Sequence, residues 1–389
     1  MFLEKLQENN KRLVEYAFDA HQKGLVLPDT YILDLDMIAA NGKAMVLEAK
    51  QHGIKLFFML KQIGRNPIVA KKLMEVGFDG CVAVDYKEAL TMIDAGIHLG
   101  NVGHLVQVPV ATLEKIIAAK PDVITVYDSE KIMQINEVAK KLNVVQPLMI
   151  RITDDDSDLY SGQIGGFKSQ DLESTIKLIE MLDNVSVGGL TVFPALLYDA
   201  DSVSIIPTVN MKAMERAKLI AEELGYKDIL INIPSATCCA SMKTINKIGG
   251  NNGEPGHGLT GTTPLHKVTD QPEKVAYVYV SEISHNYNDK SYCYGGGHYR
   301  RGHMENVFVG TSLEDCVKAK VVAPDNDSID YHYELNKHFK PGLSAIMCYR
   351  TQIFTTRSQV AIVEGLSTGS PVITGIYDSL GKEVDVNWR

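Results

Sequence analysis

The sequence predicts an α/β protein: a (β/α)8 barrel carrying a second, mainly β domain at its carboxyl end. Three observations predict it. Short apolar or β-branched runs alternate with helical stretches, the pattern of parallel βαβ units. The runs are apolar on both faces, as strands buried on both sides must be. About eight such units occupy about 250 residues, the span a closed barrel of this kind needs. The expected domains are 1–265 for the barrel, with an amino-terminal helix, and 266–389 for the β domain.

The elements follow in order. An amphipathic helix opens the chain at 2–23. Strand-like runs lie at 31–36, 54–60, 80–84, 98–103, 122–128, 147–153, 185–194 and 228–234. Helical segments separate them at 37–52, 67–76, 86–95, 111–120, 129–142, 172–182 and 211–224. After about residue 265 the pattern changes. The runs 274–284, 291–294, 344–349, 351–355 and 358–363 read as strands without intervening helices, and 295–297, 324–328 and 367–370 read as turns.

Composition narrows the function. Of 389 residues, 45% are hydrophobic and 22% charged, which supplies a core and excludes wholesale disorder. A formal net charge of −9 argues against a nucleic-acid partner, which needs a basic surface to meet phosphates. No apolar run approaches the ~18 residues of a membrane span. Residues 1–12 mix charges with few apolar side chains, so no secretory signal is expected. The cysteines are scattered without a Cys-x-x-Cys, so neither a zinc site nor a disulfide framework is indicated. A cytoplasmic protein with reduced thiols and no metal is the expectation.

Catalytic groups of such barrels sit at the carboxyl ends of strands. Lys61 stands there, just after the apolar run 54–60. A lysine at the lip of an apolar barrel is poorly solvated when charged, which favours a neutral, nucleophilic amine suited to Schiff-base chemistry. The plainer reading is a lysine that ends a strand and meets solvent. A second cluster, Gly253-Glu254-Pro255-Gly256-His257-Gly258, offers glycines and backbone amides for an anion such as phosphate, with Glu254 beside them to meet a cationic ring nitrogen. Its alternative is an ordinary glycine-rich loop. A third, Asn232-Ile233-Pro234-Ser235-Ala236-Thr237, lies between a strand and a helix, where Ser235 and Thr237 could serve phosphate or Ser235 could simply cap the helix. A fourth, running from Tyr292 to His303 through Gly295-Gly296-Gly297, suggests a flexible loop that carries acid/base groups, or a hairpin turn with exposed polar residues.

Together these features resemble the fold-type III pyridoxal-phosphate enzymes, built on the alanine-racemase barrel. The opening Tyr31-Ile32-Leu33-Asp34-Leu35-Asp36 is similar to that family's first strand and helix, and Lys61 stands where the family places its cofactor lysine. The stretch after Lys61 is similar to the D-threonine aldolase and D-serine dehydratase branch. The alanine-racemase signature Ala-Asn-Ala-Tyr-Gly is absent there, which leaves alanine specificity unsupported. Glu254-Pro255-Gly256-His257 looks most like the Glu-Pro-Gly-Arg motif of ornithine decarboxylases, in which the glutamate pairs with the pyridine nitrogen. Alanine racemases carry arginine at that position. A glutamate keeps the ring nitrogen protonated, so elimination, retro-aldol cleavage and decarboxylation stay open alongside racemisation.

The resemblance implies pyridoxal 5'-phosphate as cofactor, Lys61 as its Schiff-base anchor, Ser235, Thr237, Gly256 and His257 around the phosphate, and Glu254 at the ring nitrogen. It adds His104 and Arg151 as further pocket residues. Inversion at Cα needs acid/base groups on opposite faces. Lys61 would be one, and the second would come from the β domain. Tyr294 matches the family's catalytic tyrosine in one register and Tyr299 matches a later tyrosine in the other, with His298 and Cys348 as alternatives. The expected function is racemisation of a free amino acid by a homodimer. A lyase acting on amino acids is the alternative within enzymes, and a non-catalytic pyridoxal-phosphate carrier is the alternative outside them.

Overall fold

A computed structural model describes residues 2–325 and 327–388. The turn expected at 324–328 includes Asn326, which lies outside the described residues. The first strands are β1 (Thr30–Asp34), β2 (Lys55–Met59), β3 (Gly80–Ala83), β4 (Leu99–Val102), β5 (Val123–Val126), β6 (Gln146–Arg151) and β7 (Val185–Thr191). A hairpin of β8 (Leu196–Asp199) and β9 (Ser204–Pro207) follows, and then β10 (Leu230–Asn232) and β11 (Asn252–Gly253). Eight of these close a barrel in the order β10-β11-β2-β3-β4-β5-β6-β7, all pairs parallel.

Strand number and closure match the expectation, but membership differs at both ends. The run at 31–36 is not a barrel strand. As β1 it pairs with strands of the carboxyl-terminal sheet, Tyr31 opposite Tyr279 and opposite Val360. The eighth barrel strand is instead β11, in a Gly-Gly-Asn-Asn-Gly stretch that carries no strand signal. It forms because β10 and β2 both present open edges there, and Asn252 pairs with Asn232 on one side and Lys55 on the other. The barrel lumen holds Phe57, Met59, Val82 and Val84. Gly100 on β4 makes room for Phe57, since a Cβ there would lie 2.3 Å from its ring.

The chain forms two compact units. One is 45–59 with 73–256, and the other is 1–44, 60–72 and 257–389. The chain crosses between them after residues 44, 59, 72 and 256. The second unit is built on β12 (Tyr277–Tyr287), β13 (Lys290–Tyr294), β14 (Asn306–Gly310), β15 (Val317–Val322), β16 (His332–Leu335), β17 (Ser344–Met347), β18 (Gln359–Glu364) and β19 (Val372–Tyr377). Its sheet runs β13-β16-β15-β14-β17-β12-β1-β18-β19, and β13 also pairs with β12. The strand expected at 351–355 is a 3-10 turn, Ile353–Thr355.

The opening helix is two helices, Phe2–Asn9 and Lys11–Gln22. At the break, the Asn10 amide donates to Asp34 (2.8 Å) and to the Val275 carbonyl (3.3 Å), which ties the chain to the end of β1. Among the described residues no helix is long and apolar enough to cross a membrane.

Candidate active site

In the barrel unit, polar side chains gather where the strands end. Glu254 follows β11 by one residue and is buried. Its Oε1 accepts from the amide of Asn101 on β4 (2.9 Å) and from that of Asn232 on β10 (2.8 Å). Thr125 on β5 donates to Asn101 Oδ1 (2.7 Å), and the Asn232 amide also reaches Thr191 on β7 (3.2 Å). Four strands thus contribute to one carboxylate. Amide donors favour the ionised form of a carboxylate. Glu254 Oε2 lies 3.5 Å from Nδ1 of His104, whose ring meets Phe193 edge-on at 5.2 Å.

Arg151 closes β6 and is fully buried. It donates to the Tyr127 hydroxyl (2.6 Å) and to the Gln163 carbonyl (2.7 Å), and its guanidinium lies 4.8 Å from the Tyr127 ring centre. Tyr127 in turn donates to the His104 carbonyl (2.7 Å). Burial pushes the Tyr127 phenol up, beyond the opposing pull of Arg151, so it stays protonated and can make that bond.

Ser235 and Ala236, after β10, both have positive φ (78° and 48°), a costly conformation for residues with a Cβ. The Ser235 hydroxyl accepts from the amides of Ala195 and Leu196 (3.1 Å each) and donates to the Leu196 carbonyl (2.7 Å). It therefore ties the base of the β8–β9 hairpin to this turn, and what the turn retains for an anion is its backbone and Thr237. Ser235 does not cap the next helix. Cys238 holds that position in a reciprocal pair with Ser241. Gly256 is buried.

In the other unit, Lys61 opens a 3-10 turn, Lys61–Ile63, two residues beyond the end of β2. Its Nζ lies 5.9 Å from the Phe354 ring centre, with the Arg65 guanidinium 5.0 Å from the same ring. His257 is buried, with Nε2 3.3 Å from the Gln352 amide and Nδ1 3.4 Å from the Thr262 hydroxyl. Burial, reinforced by the positive charges of Arg350, Lys61 and Arg301, holds the imidazole well below its usual range. It is neutral at pH 7 and offers one N–H.

The β-domain candidates separate. Tyr294, on β13, is 40% exposed. His298 is half-buried, and burial lowers its proton affinity. The Tyr299 hydroxyl accepts from Arg301 Nε (3.0 Å). Cys348 is buried in the domain core, where burial raises its thiol far above neutrality and Sγ meets the Tyr277 carbonyl at 3.6 Å. A thiol so placed is a core residue rather than a base. The glycine run 295–297 is not flexible. All three residues are buried, and a Cβ on any of them would lie within 2.4 Å of a neighbouring atom.

Sequence reasoning missed Asn101, Thr125, Tyr127 and Thr191. A signal existed for the first. An asparagine inside the apolar run Leu99-Gly100-Asn101-Val102 needs a buried partner to offset its desolvation.

A closed parallel barrel with a buried, amide-held carboxylate at its carboxyl end, joined to a mainly β unit, belongs to the fold-type III pyridoxal-phosphate superfamily of racemases and lyases. The chain is a member of the alanine racemase N-terminal domain family, which matches residues 33–264, and residues 278–373 match the YhfX-like C-terminal domain. It is 40% identical over 385 residues to the uncharacterized protein YhfX of Escherichia coli (strain K12), covering 99% of this chain and 100% of that one.

Solved structures share the fold. Alanine racemase of Clostridium difficile 630 in complex with cycloserine has a TM-score of 0.65 at 18% identity, covering 91% of this chain and 99% of that one. D-threonine aldolase from Filomicrobium marinum has 0.65 at 16%, covering 91% and 95%. D-threo-3-hydroxyaspartate dehydratase from Delftia sp. HT23 has 0.65 at 14%, covering 88% and 95%.

The residues fit the cofactor of that superfamily by their chemistry. Glu254 is a buried carboxylate that accepts from two amides, the residue type that pairs with a pyridine nitrogen. Within the barrel unit the backbone of the strained 235–236 turn suits a phosphate; within the other unit His257 is neutral and Lys61 supplies a primary amine.

Proposed function

We propose that the chain is a pyridoxal-phosphate-dependent racemase of a free amino acid, working in the cytoplasm as a homodimer. The observation that carries this reading is Glu254, positioned by the Asn101 and Asn232 amides at the end of the strand that neighbours β2, from which the chain runs on to Lys61. Pyridoxal phosphate, when bound, would supply an electron sink that acidifies the amino acid's Cα–H. Lys61 anchors it, and the Lys61 amine takes or returns the Cα proton on one face. Glu254 keeps a proton at the ring nitrogen. The amides at 235–237, Gly256 and the neutral His257 N–H hold the phosphate, while Arg151 and His104 line the pocket. On the opposite face the acid/base group is the Tyr294 phenol, with His298 and Tyr299 as the alternatives in the same loop. Tyr294 is exposed in the single chain, as a group offered to a second copy must be.

A second reading, an amino-acid lyase, is favoured by Glu254 itself, because a protonated ring nitrogen supports elimination and retro-aldol cleavage as well as inversion. Borohydride reduction of the purified protein followed by peptide mapping tests the shared part. The expected result is a pyridoxyl adduct on Lys61, and no adduct after incubation with excess cofactor overturns both readings. Deuterium exchange across an amino-acid panel then separates them. Exchange with inversion and intact substrate supports the racemase, loss of substrate to a keto acid or aldehyde supports the lyase, and an adduct without any exchange leaves a cofactor carrier.

A further inference from the structure

The glycine run of the β unit is held between two carboxylates, and neither belongs to the chemistry assigned above. Asp330 holds one side. Its Oδ2 accepts from the amides of Gly296 (3.1 Å) and His298 (3.2 Å) and from the Tyr333 hydroxyl (3.2 Å). Its Oδ1 pairs with Arg357 (2.8 Å). The Tyr333 hydroxyl also accepts from Gly297 N (2.9 Å), and the Gly297 carbonyl accepts from the hydroxyls of Tyr31 (2.7 Å) and Tyr349 (3.2 Å).

Asp29 holds the other side. It precedes β1 in a left-handed conformation (φ 64°). Its Oδ1 accepts from the Tyr279 hydroxyl (2.9 Å) and from the Ser358 hydroxyl. A Cβ on Gly296 would lie 1.9 Å from Asp29 Oδ2, so this carboxyl occupies the space that only glycine leaves. A hydrogen-bonded acid wedged against the backbone of a loop is a device that fixes that loop.

We propose that Asp29 is a positioning residue: with Asp330 it latches the 295–297 run, and so sets where Tyr294 and His298, at its two ends, are presented. This rests on the reading of that loop as the carrier of the second acid/base group.

The latch depends on protonation. Burial raises the Asp29 carboxyl to about 6, and the nearby Asp330 charge adds to this against the opposing effects of Ser358, Tyr279 and Arg357. Arg357 stays charged, and the phenols of Tyr31, Tyr279 and Tyr333 are pushed up by burial and stay neutral. Asp29 thus changes charge near pH 6, and His298, whose proton affinity burial lowers against the opposing effect of Asp330, is the titratable side chain at the end of the run. The latched arrangement binds the proton more tightly than an opened one in which Asp29 meets water. With an ordinary value of 3.8 when open and about 6 when latched, opening becomes about tenfold easier between pH 5 and pH 7.5.

Amide hydrogen exchange at 295–298 in the full-length protein reads this directly, after correction for intrinsic exchange. The expected wild-type result is a tenfold fall in protection from pH 5 to pH 7.5, absent in Asp29→Asn, which keeps a neutral group of the same shape. Ser358→Ala, which removes a donor to the ionised form, should move the midpoint to higher pH. A flat wild-type profile, or one unchanged in Asp29→Asn, overturns the latch. Unchanged inversion at Cα in both Tyr294→Phe and His298→Gln, with the protection profile intact, would remove the catalytic reading of the loop and leave the latch standing.

Discussion

At the scale of single residues, Glu254 concentrates the consequences. Its two amide donors come from β4 and β10, so the carboxylate is positioned by the barrel and not by its own loop. Glu254→Gln keeps the shape and removes the charge. Exchange at Cα should fall on the order of 10²-fold, as for loss of a proton-holding group, with circular dichroism unchanged. Asn101→Ala should cost about 1–3 kcal/mol in denaturant unfolding, because it strips a donor from a buried anion and a partner from Thr125. Lys61 and Glu254 stand out in the sequence as candidates because their types and spacing match a known chemistry. Asn101, Thr125 and Thr191 do not, because they act only through Glu254, more than sixty residues away along the chain from the nearest of them.

At the scale of elements, the helix Lys11–Gln22 carries a pH-sensitive contact. His21 Nδ1 lies 2.7 Å from the Ser344 hydroxyl on β17, and Nε2 lies 3.3 Å from Glu282 on β12. Burial lowers this imidazole to about 4, so at pH 7 it is neutral and the Glu282 contact is a hydrogen bond rather than an ion pair. The unfolded chain takes up the proton near 6.5, and the folded chain only near 4. Stability present above pH 6.5 is therefore lost as pH falls towards 4, by about 3 kcal/mol. Urea unfolding of wild type and His21→Gln should show the difference between them shrinking, or reversing, across that range. Within the barrel, Gly100→Ala would bring a Cβ to 2.3 Å from the Phe57 ring. It should destabilise by about 1–3 kcal/mol through overpacking, read as a lowered Tm.

The strand errors have a physical source at this same scale. The run at 31–36 has the composition of a buried strand, and it is one, but composition does not say which sheet buries it. β11 has no strand propensity and exists because two neighbouring edges need a partner. Strands β8, β9, β14, β15, β16 and β19 were missed. β15, Val317–Val322, buries only Ala319 and Val321 and exposes lysines on the other face, so it carries little apolar signal.

At the scale of the whole molecule, the proposed dimer makes a prediction that no single chain could satisfy. If Tyr294 serves the site of a second copy, Lys61→Ala and Tyr294→Phe should each fail to invert Cα alone. Mixed subunits should recover roughly one quarter of wild-type inversion, since random pairing gives half mixed dimers with one intact site each. No recovery after co-expression, with mixed dimers shown by mass spectrometry, would mean that each chain supplies its own second group.

By itself the sequence determined the class of fold and the number of barrel strands, and it singled out Lys61 and the acidic residue of the 254–257 motif as candidates. These are local properties: periodicity along the chain, residue type and short spacing. Only the tertiary structure decided which runs close the barrel, that Ser235 spends its hydroxyl on the β8–β9 hairpin, that Cys348 is an inert core thiol, and that the glycine run is clamped instead of free. Each of these depends on which distant side chain fills the space or accepts the hydrogen bond. Burial and desolvation are set by neighbours in space, and a linear pattern of residues does not name them.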